Sequence, residues 1–349
     1  MTGRAGGPQP AALGAVGTPR PADIRGNLPG TPRERPEVAG PSSSNGGHAV
    51  ELESVTKSFG QHVAVRDLSL HVPRGSIYGF IGPNGAGKTT TLRMILNIFA
   101  PDTGVVRLFG APVRGLRDPR LGYLPEERGL YRRMKLRDLL LFFGRLKTGQ
   151  TLRREVEDWL ARLDLSAWAN KRIETLSKGM AQKAQFIVAA LGEPPLLILD
   201  EPFSGLDPVN LDVLRRAVLA QRARGATIIF STHDMAVAER MCDFIFMIHG
   251  GRKVLDGTLA AIQDAYGADT IRVRVEGGAP ALGEVPGVER VEDFGQLQEL
   301  RLRPGTDAQE VLRGLVARLR VLSFEVARPS LHDIFVRIAG PASQEVSHA

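Results

Sequence analysis

Apolar side chains recur along this chain in two periods, and the places where the period changes divide it. Val50-Glu51-Leu52-Glu53-Ser54-Val55 alternates apolar and polar positions as a half-buried strand does, and a second strand is predicted over 68–72. Ile77-Tyr78-Gly79-Phe80-Ile81 is a continuous apolar run, the pattern of a strand covered on both faces. It ends in a glycine-rich loop, after which the spacing predicts a helix over 89–99. Helices are expected at 135–147, 152–163, 179–191, 208–224 and 234–242, and buried strands at 196–200, 226–231 and 244–248. Alternation of this kind implies an α/β unit with a parallel core sheet.

Near residue 265 the texture changes. Residues 271–275 and 297–303 alternate, a helix is predicted over 307–319, a strand over 321–326 and a helix over 330–339, with a turn at Gly277-Gly278-Ala279-Pro280. This reads as a small α+β unit. The expected division is 48–265 and 266–340, flanked by tails at 1–47 and 341–349. The first tail is rich in Gly, Pro, Ala and Ser and too poor in apolar residues to offset chain entropy, so disorder is expected there, as in the short C-terminal tail. No internal repeat is visible.

Composition narrows the function classes. Hydrophobic residues make up 43% of the 349, enough for a sizeable core. The net charge of +7 is spread without a long basic run, and aromatics are only 6%, so no base-stacking platform and no nucleic-acid partner are expected. The single cysteine, Cys242, cannot form an internal disulfide; beside Met241, Phe244, Ile245 and Phe246 it reads as a small core residue in a reducing, cytoplasmic compartment. No run approaches the ~20 apolar residues of a membrane span, and the N-terminus has no apolar signal segment. Any membrane role must come through a partner.

Two segments carry chemistry. Gly82-Pro83-Asn84-Gly85-Ala86-Gly87-Lys88-Thr89 fits G-x-x-x-x-G-K-[ST] in full, between an apolar strand and a helix. Its glycines let backbone N–H groups turn toward phosphates, the helix N-terminus adds positive potential, Lys88 is expected at the β- and γ-phosphates and Thr89 at Mg²⁺. Thr90 extends the same set. Leu196-Leu197-Ile198-Leu199-Asp200-Glu201 is a buried strand ending in two carboxylates. Adjacent buried acids need a cation nearby, which suits Asp200 to Mg²⁺ and Glu201 to a general base for the attacking water.

With these in place, the chain over about 49–265 resembles the ATP-binding-cassette (ABC) ATPases. Leu176-Ser177-Lys178-Gly179-Met180 is similar to that family's signature, usually Leu-Ser-Gly-Gly-Gln. Ser204-Gly205-Leu206-Asp207-Pro208 resembles its D-loop and Ser231-Thr232-His233-Asp234 its switch-histidine loop. Phe59 stands where an aromatic stacks on adenine, and Gly122-Tyr123-Leu124-Pro125-Glu126 resembles the Q-loop, with Glu126 in place of the usual glutamine as a further candidate for the metal. Lys178 and Met180 are also departures. The segments around Gln182, Lys183, Gln185, Phe186 and 124–131, with the C-terminal Pro329-Ser330-Leu331-His332-Asp333-Ile334-Phe335, look like the sodium-export and drug-export subunits.

The resemblance implies a P-loop ABC ATPase domain with a parallel core sheet, an antiparallel β subdomain and a helical subdomain, followed by a small accessory α+β domain. It implies ATP and Mg²⁺ as ligands, Glu201 and His233 as catalytic residues, and a homo- or heterodimer. In that dimer, ATP lies between the phosphate loop of one subunit and the Leu176–Met180 segment of the other, with Ser204 and Asp207 in the connecting loop. A separate transmembrane permease is implied as partner, the chain lying on the inner face of the cell membrane and driving export of an ion, drug or lipid-like substrate. Other readings are a soluble ABC ATPase acting on nucleic acid or the ribosome, a phosphoryl-transfer enzyme, and a non-catalytic scaffold. One cassette, one cysteine and no heptads count against the first; the signature and D-loop stay unexplained in the second; Glu201 and His233 argue against the third.

Overall fold

A computed structural model describes residues 47–113, 118–127, 129–267, 270–276, 282 and 285–339. The expected N-terminal tail up to residue 46, the 277–280 turn and the C-terminal tail lie outside the described residues.

The chain opens with strands β1 (His48–Phe59) and β2 (His62–Pro73), an antiparallel hairpin turned at Gly60, whose φ is 59°. β3 (Ile77–Ile81) leads into the phosphate-loop segment and α1 (Lys88–Ile95). The helix stops short of the expected residue 99 because Asn97 takes a left-handed φ of 53°, which ends helical hydrogen bonding. Next come β4 (Thr103–Leu108), β5 (Ala111–Pro112) and β6 (Leu121–Leu124). β4 joins the other edge of β1, so the first sheet is antiparallel in the order β2-β1-β4-β5.

Helices α2 (Leu136–Thr148), α3 (Arg153–Arg162) and α4 (Lys178–Ala190) follow, then β7 (Leu196–Asp200), α5 (Pro208–Ala223), β8 (Thr227–Thr232), α6 (Met235–Met241), β9 (Phe244–His249) and β10 (Arg252–Thr258). The central sheet runs β10-β9-β3-β8-β7-β6, parallel except for β10. Its inner strands are apolar throughout because both faces are covered. Ile77, Leu197, Leu199, Ile228 and Phe230 point to the helical side, where Trp159 meets Phe186 edge-on at 5.7 Å. Tyr78, Phe80, Ile198, Ile229 and Phe246 point to the first sheet and α1. Cys242 is half-buried, and burial pushes its thiol up.

Helix α7 (Leu259–Tyr266) precedes β11 (Thr270–Val275), β12 (Val288–Asp293), β13 (Gln298–Leu302), α8 (Ala308–Val316), β14 (Val321–Ala327) and α9 (Leu331–Ala339). The third sheet is antiparallel, β12-β13-β11-β14, and Val311 and Leu315 of α8 pack on its Ile271, Val273 and Leu300. Helix α9 forms where the apolar spacing predicts it but covers a different core. Leu331 and Ile334 are buried with Ile81, Ile245, Met247, Leu255 and Ile262, and the Leu331 N–H donates to the Glu239 carboxylate on α6. The last helix thus closes onto the central sheet beside the strand that feeds the phosphate loop.

Candidate nucleotide site

The loop between β3 and α1 can turn only because of its glycines. Gly87 has a φ of 108°, and a Cβ there would lie 2.7 Å from the Ala64 carbonyl oxygen; a Cβ on Gly82 would lie 2.3 Å from that of Ile248. The turn brings Lys88, the first residue of α1, back over the loop. Its Nζ donates to the carbonyls of Gly82 (2.7 Å) and Pro83 (3.2 Å) and lies 3.7 Å from Glu201 Oε1. Burial pushes the Lys88 pKa down, opposed by the carboxylates of Glu201, Asp200 and Glu126.

Beyond the end of β7 the backbone takes a left-handed turn at Glu201, with φ 48°. This turn sets the carboxylate, 8% exposed, between two nitrogen groups: Lys88 on one side and His233 Nδ1, 3.1 Å from both carboxylate oxygens, on the other. His233 follows β8 and is 57% exposed, so its ring bridges the buried acid and solvent. The β7–β8 register pairs Asp200 with Ser231. Ser231 Oγ donates to Asp200 Oδ1 and accepts from the Glu201 N–H at 2.9 Å, so one hydroxyl orders both acids. Thr89 Oγ1 lies 3.4 Å from Asp200 Oδ1, and Asp200 Oδ2 is buried without a hydrogen-bond partner.

A hydroxyl beside a carboxylate with a spare oxygen is a hard-oxygen donor set, which fits Mg²⁺ completed by phosphate oxygens and water. Among the described residues no cluster of three or more His, Cys, Asp or Glu side chains could hold a metal. Thr89 and Asp200 would therefore share the ion with the nucleotide.

These groups surround a cavity of about 410 Å³ walled by Phe59, Pro83, Asn84, Gly85, Ala86, Gly87, Lys88, Thr89, Thr90, Glu126 and Glu201, with His62 and Ala64. Gly82, Asp200 and His233 do not wall the cavity but bond to residues that do, Gly82 to Lys88, Asp200 to Thr89 and His233 to Glu201. Phe59 ends β1, 48% exposed, braced edge-on by Phe99 at 5.5 Å with Lys57 Nζ 5.7 Å from its ring centre. Glu126 is exposed in the loop after β6.

The remaining predicted residues lie outside that wall. Ser177 caps α4, its Oγ accepting from the Met180 N–H at 3.3 Å; Leu176 and Met180 pack partly into the helical core, Gly179 is buried and Lys178 is exposed. Asp207 caps α5 by accepting from the N–H groups of Val209 (3.1 Å) and Asn210 (2.9 Å), and the Ser204 N–H donates to the Glu201 carbonyl at 3.2 Å. Sequence reasoning gave Ser231 no individual role and left His62 unassigned. Ser231 was accessible as the residue opposite Asp200 once the β7–β8 register is known; for His62 the sequence carries no such signal.

Comparison with known proteins meets this geometry. A family model described as ABC transporter matches residues 65–204, and one described as the C-terminal domain of DrrA1-3-like ATP-binding proteins matches 257–339. An uncharacterized ABC transporter ATP-binding protein of Bacillus subtilis, YhaQ, is 39% identical over 292 residues, covering 83% of this chain and 98% of the relative. Nod factor export ATP-binding protein I of Paraburkholderia xenovorans is 37% identical over 307 residues, 85% of this chain and 99% of the relative. A solved ATP-binding subunit of an ABC transporter superposes with a TM-score of 0.58 at 33% identity, over 63% of this chain and 93% of that one. The chain is therefore a member of the ABC transporter ATP-binding subunits, a family of ATPases, and it carries a DrrA-like C-terminal domain.

Proposed function

We propose that the chain hydrolyses Mg²⁺-ATP in a head-to-tail dimer beneath a separate permease and thereby drives export. The ATPase domain spans 48–265 and the accessory domain 266–340. The observation that carries the reading is the placement of the buried Glu201 carboxylate between Lys88 and His233 at the wall of the cavity. A carboxylate so placed can accept a proton from a water attacking the γ-phosphate, while Lys88 and the loop N–H groups neutralise charge on the transferred group. His233 orients the carboxylate and reaches the same phosphate from the solvent side. Phe59 stacks the base. Thr89 and Asp200, with Glu126 nearby, would hold Mg²⁺, which would offset negative charge on the phosphates.

The dimer follows from the segments that stand apart. Leu176 to Met180 do not wall the chain's own cavity, so the Ser177 hydroxyl and the N–H groups of Lys178 and Gly179 at the start of α4 are free to meet the nucleotide of a second copy or a related subunit. Bound ATP then favours the closed pair and hydrolysis reopens it, a population shift that can be passed to a partner. A candidate surface for that partner is a largely apolar groove of about 390 Å³ lined by Leu96, Ile98, Tyr123, Phe143 and Leu146, with Asp118 and Lys147 among its lining. Among the described residues no helix is long and apolar enough to cross a membrane. The permease proposed here is a separate chain that holds this one at the inner membrane face. Export is supported by the name of the Nod factor export relative.

The test is Glu201→Gln. Loss of the general base should lower kcat roughly 10²–10⁴-fold while ATP still binds. Wild-type turnover in steady-state phosphate release would remove Glu201 from this role.

A further inference from the structure

Lys178, where the family's signature usually has glycine, reaches away from the helix end that it opens. A Cβ built on Gly205 would lie 2.1 Å from Lys178 Nζ and 2.9 Å from its Cε, so the ammonium occupies the space a side chain at 205 would fill. Gly205 has a φ of 64° and follows Ser204, whose N–H is bonded to the Glu201 carbonyl; the Leu206 N–H bonds to the Phe203 carbonyl at 3.3 Å. The turn under the lysine is therefore a hydrogen-bonded extension of Glu201, a residue whose own left-handed backbone depends on what holds it.

A second contact joins the same two segments. A Cβ on Gly179 would stand 2.9 Å from Asn210 Nδ2, and that amide donates to Asp207, the cap of α5. One turn further along α4, burial pushes the pKa of the Lys183 ammonium down, opposed by the charges of Asp164 and then Asp207. The first turn of α4 thus rests on the first turn of α5, and Lys178 extends the contact to Ser204–Gly205.

We infer that Lys178 is a positioning residue that couples the signature turn, facing the partner's nucleotide, to the Glu201 turn of its own site. The inference rests on the dimeric reading above and deepens it by naming a link between the two nucleotide sites. A packed and hydrogen-bonded chain, Ser177–Lys178–Gly205–Ser204–Glu201, is the physical path. Engagement of the signature moves the N-terminus of α4, the long lysine stem moves with it, and the Glu201 turn is held in register only while the ammonium sits on Gly205.

Steady-state ATPase kinetics of the full-length chain test this, with Lys178→Ala, Lys178→Arg and Glu201→Gln side by side and thermal melts to check folding. Lys178→Ala should lower kcat roughly three- to tenfold and leave the KM for ATP unchanged. Arginine keeps the charge and reach and should restore most of kcat. Gly205→Ala displaces the ammonium and should impair the wild type more than it impairs the Lys178→Ala background. Wild-type kcat in Lys178→Ala would overturn the inference, as would a raised KM at unchanged kcat, which would make the charge a contact for the nucleotide. Wild-type turnover in Glu201→Gln would overturn the site reading and this inference together.

Discussion

Glu201 occupies a position that neither its strand nor its helix neighbours would choose for it: a left-handed backbone, a buried carboxylate, and two cationic or imidazole partners from elements far apart in sequence. That arrangement is maintained because Ser231 accepts its N–H and Lys88 faces its charge. Lys147 shows the opposite case, a charge without an ionic partner in hydrogen-bonding reach. Burial at the apolar groove pushes it from 10.5 down to about 8, Glu155 opposes the shift, and Nζ donates to the Ala189 carbonyl at 2.8 Å. Because its folded value is depressed, the unfolded chain binds more protons between about pH 8 and 10.5, and stability rises with pH across that window. Below it the desolvation cost is present in full. Urea unfolding at about pH 7 and about pH 10 should show a smaller gain in Lys147→Met than in the wild type, by about 1–2 kcal/mol given the side chain's partial contact with water. Equal gains would show that Lys147 stays charged in the fold. At this scale the sequence was informative about identity and silent about geometry. Lys88, Asp200 and Glu201 could be picked out because their residue types at that spacing suit phosphate chemistry, whereas the His233–Glu201 bond and the Ser231 bridge depend on strand register.

Among the elements, the buried strands β3, β7, β8 and β9 were readable because cover on both faces leaves an unbroken apolar run. β4, β6 and β10 were not, since short or half-exposed strands near sheet edges carry too few apolar positions to set a period. Helix α7 escaped for a similar reason: only Ile262 is buried in it. The helix over 331–339 was legible from its apolar stripe, but a stripe does not say which core it faces, and α9 covers the central sheet rather than the small C-terminal sheet. Ending the chain at residue 329 should therefore destabilise the nucleotide-binding part itself. Loss of the fully buried Leu331 and Ile334, at about 1.5–3 kcal/mol each, predicts a fall of about 3–6 kcal/mol in urea unfolding. Unchanged stability would mean that α9 does not hold Ile81 and Met247.

For the whole molecule, two surfaces matter: a cavity walled by the phosphate loop, Lys88, Glu201 and Phe59, and a separate face that presents the start of α4. On the proposed dimeric function neither makes a complete site: a γ-phosphate held between them would attract Lys88 from one chain and the Ser177–Gly179 amides from the other, and ATP would join two chains where ADP would not. The C-terminal segment is tied to α6, the helix that follows His233, through the Leu331 N–H and the Glu239 carboxylate. Sedimentation velocity of the Glu201→Gln chain with saturating Mg²⁺ and ATP tests this most directly. The chain should sediment as a monomer without nucleotide and with ADP, and as a dimer with ATP. A chain that binds ATP and sediments as a monomer under all three conditions would contradict it.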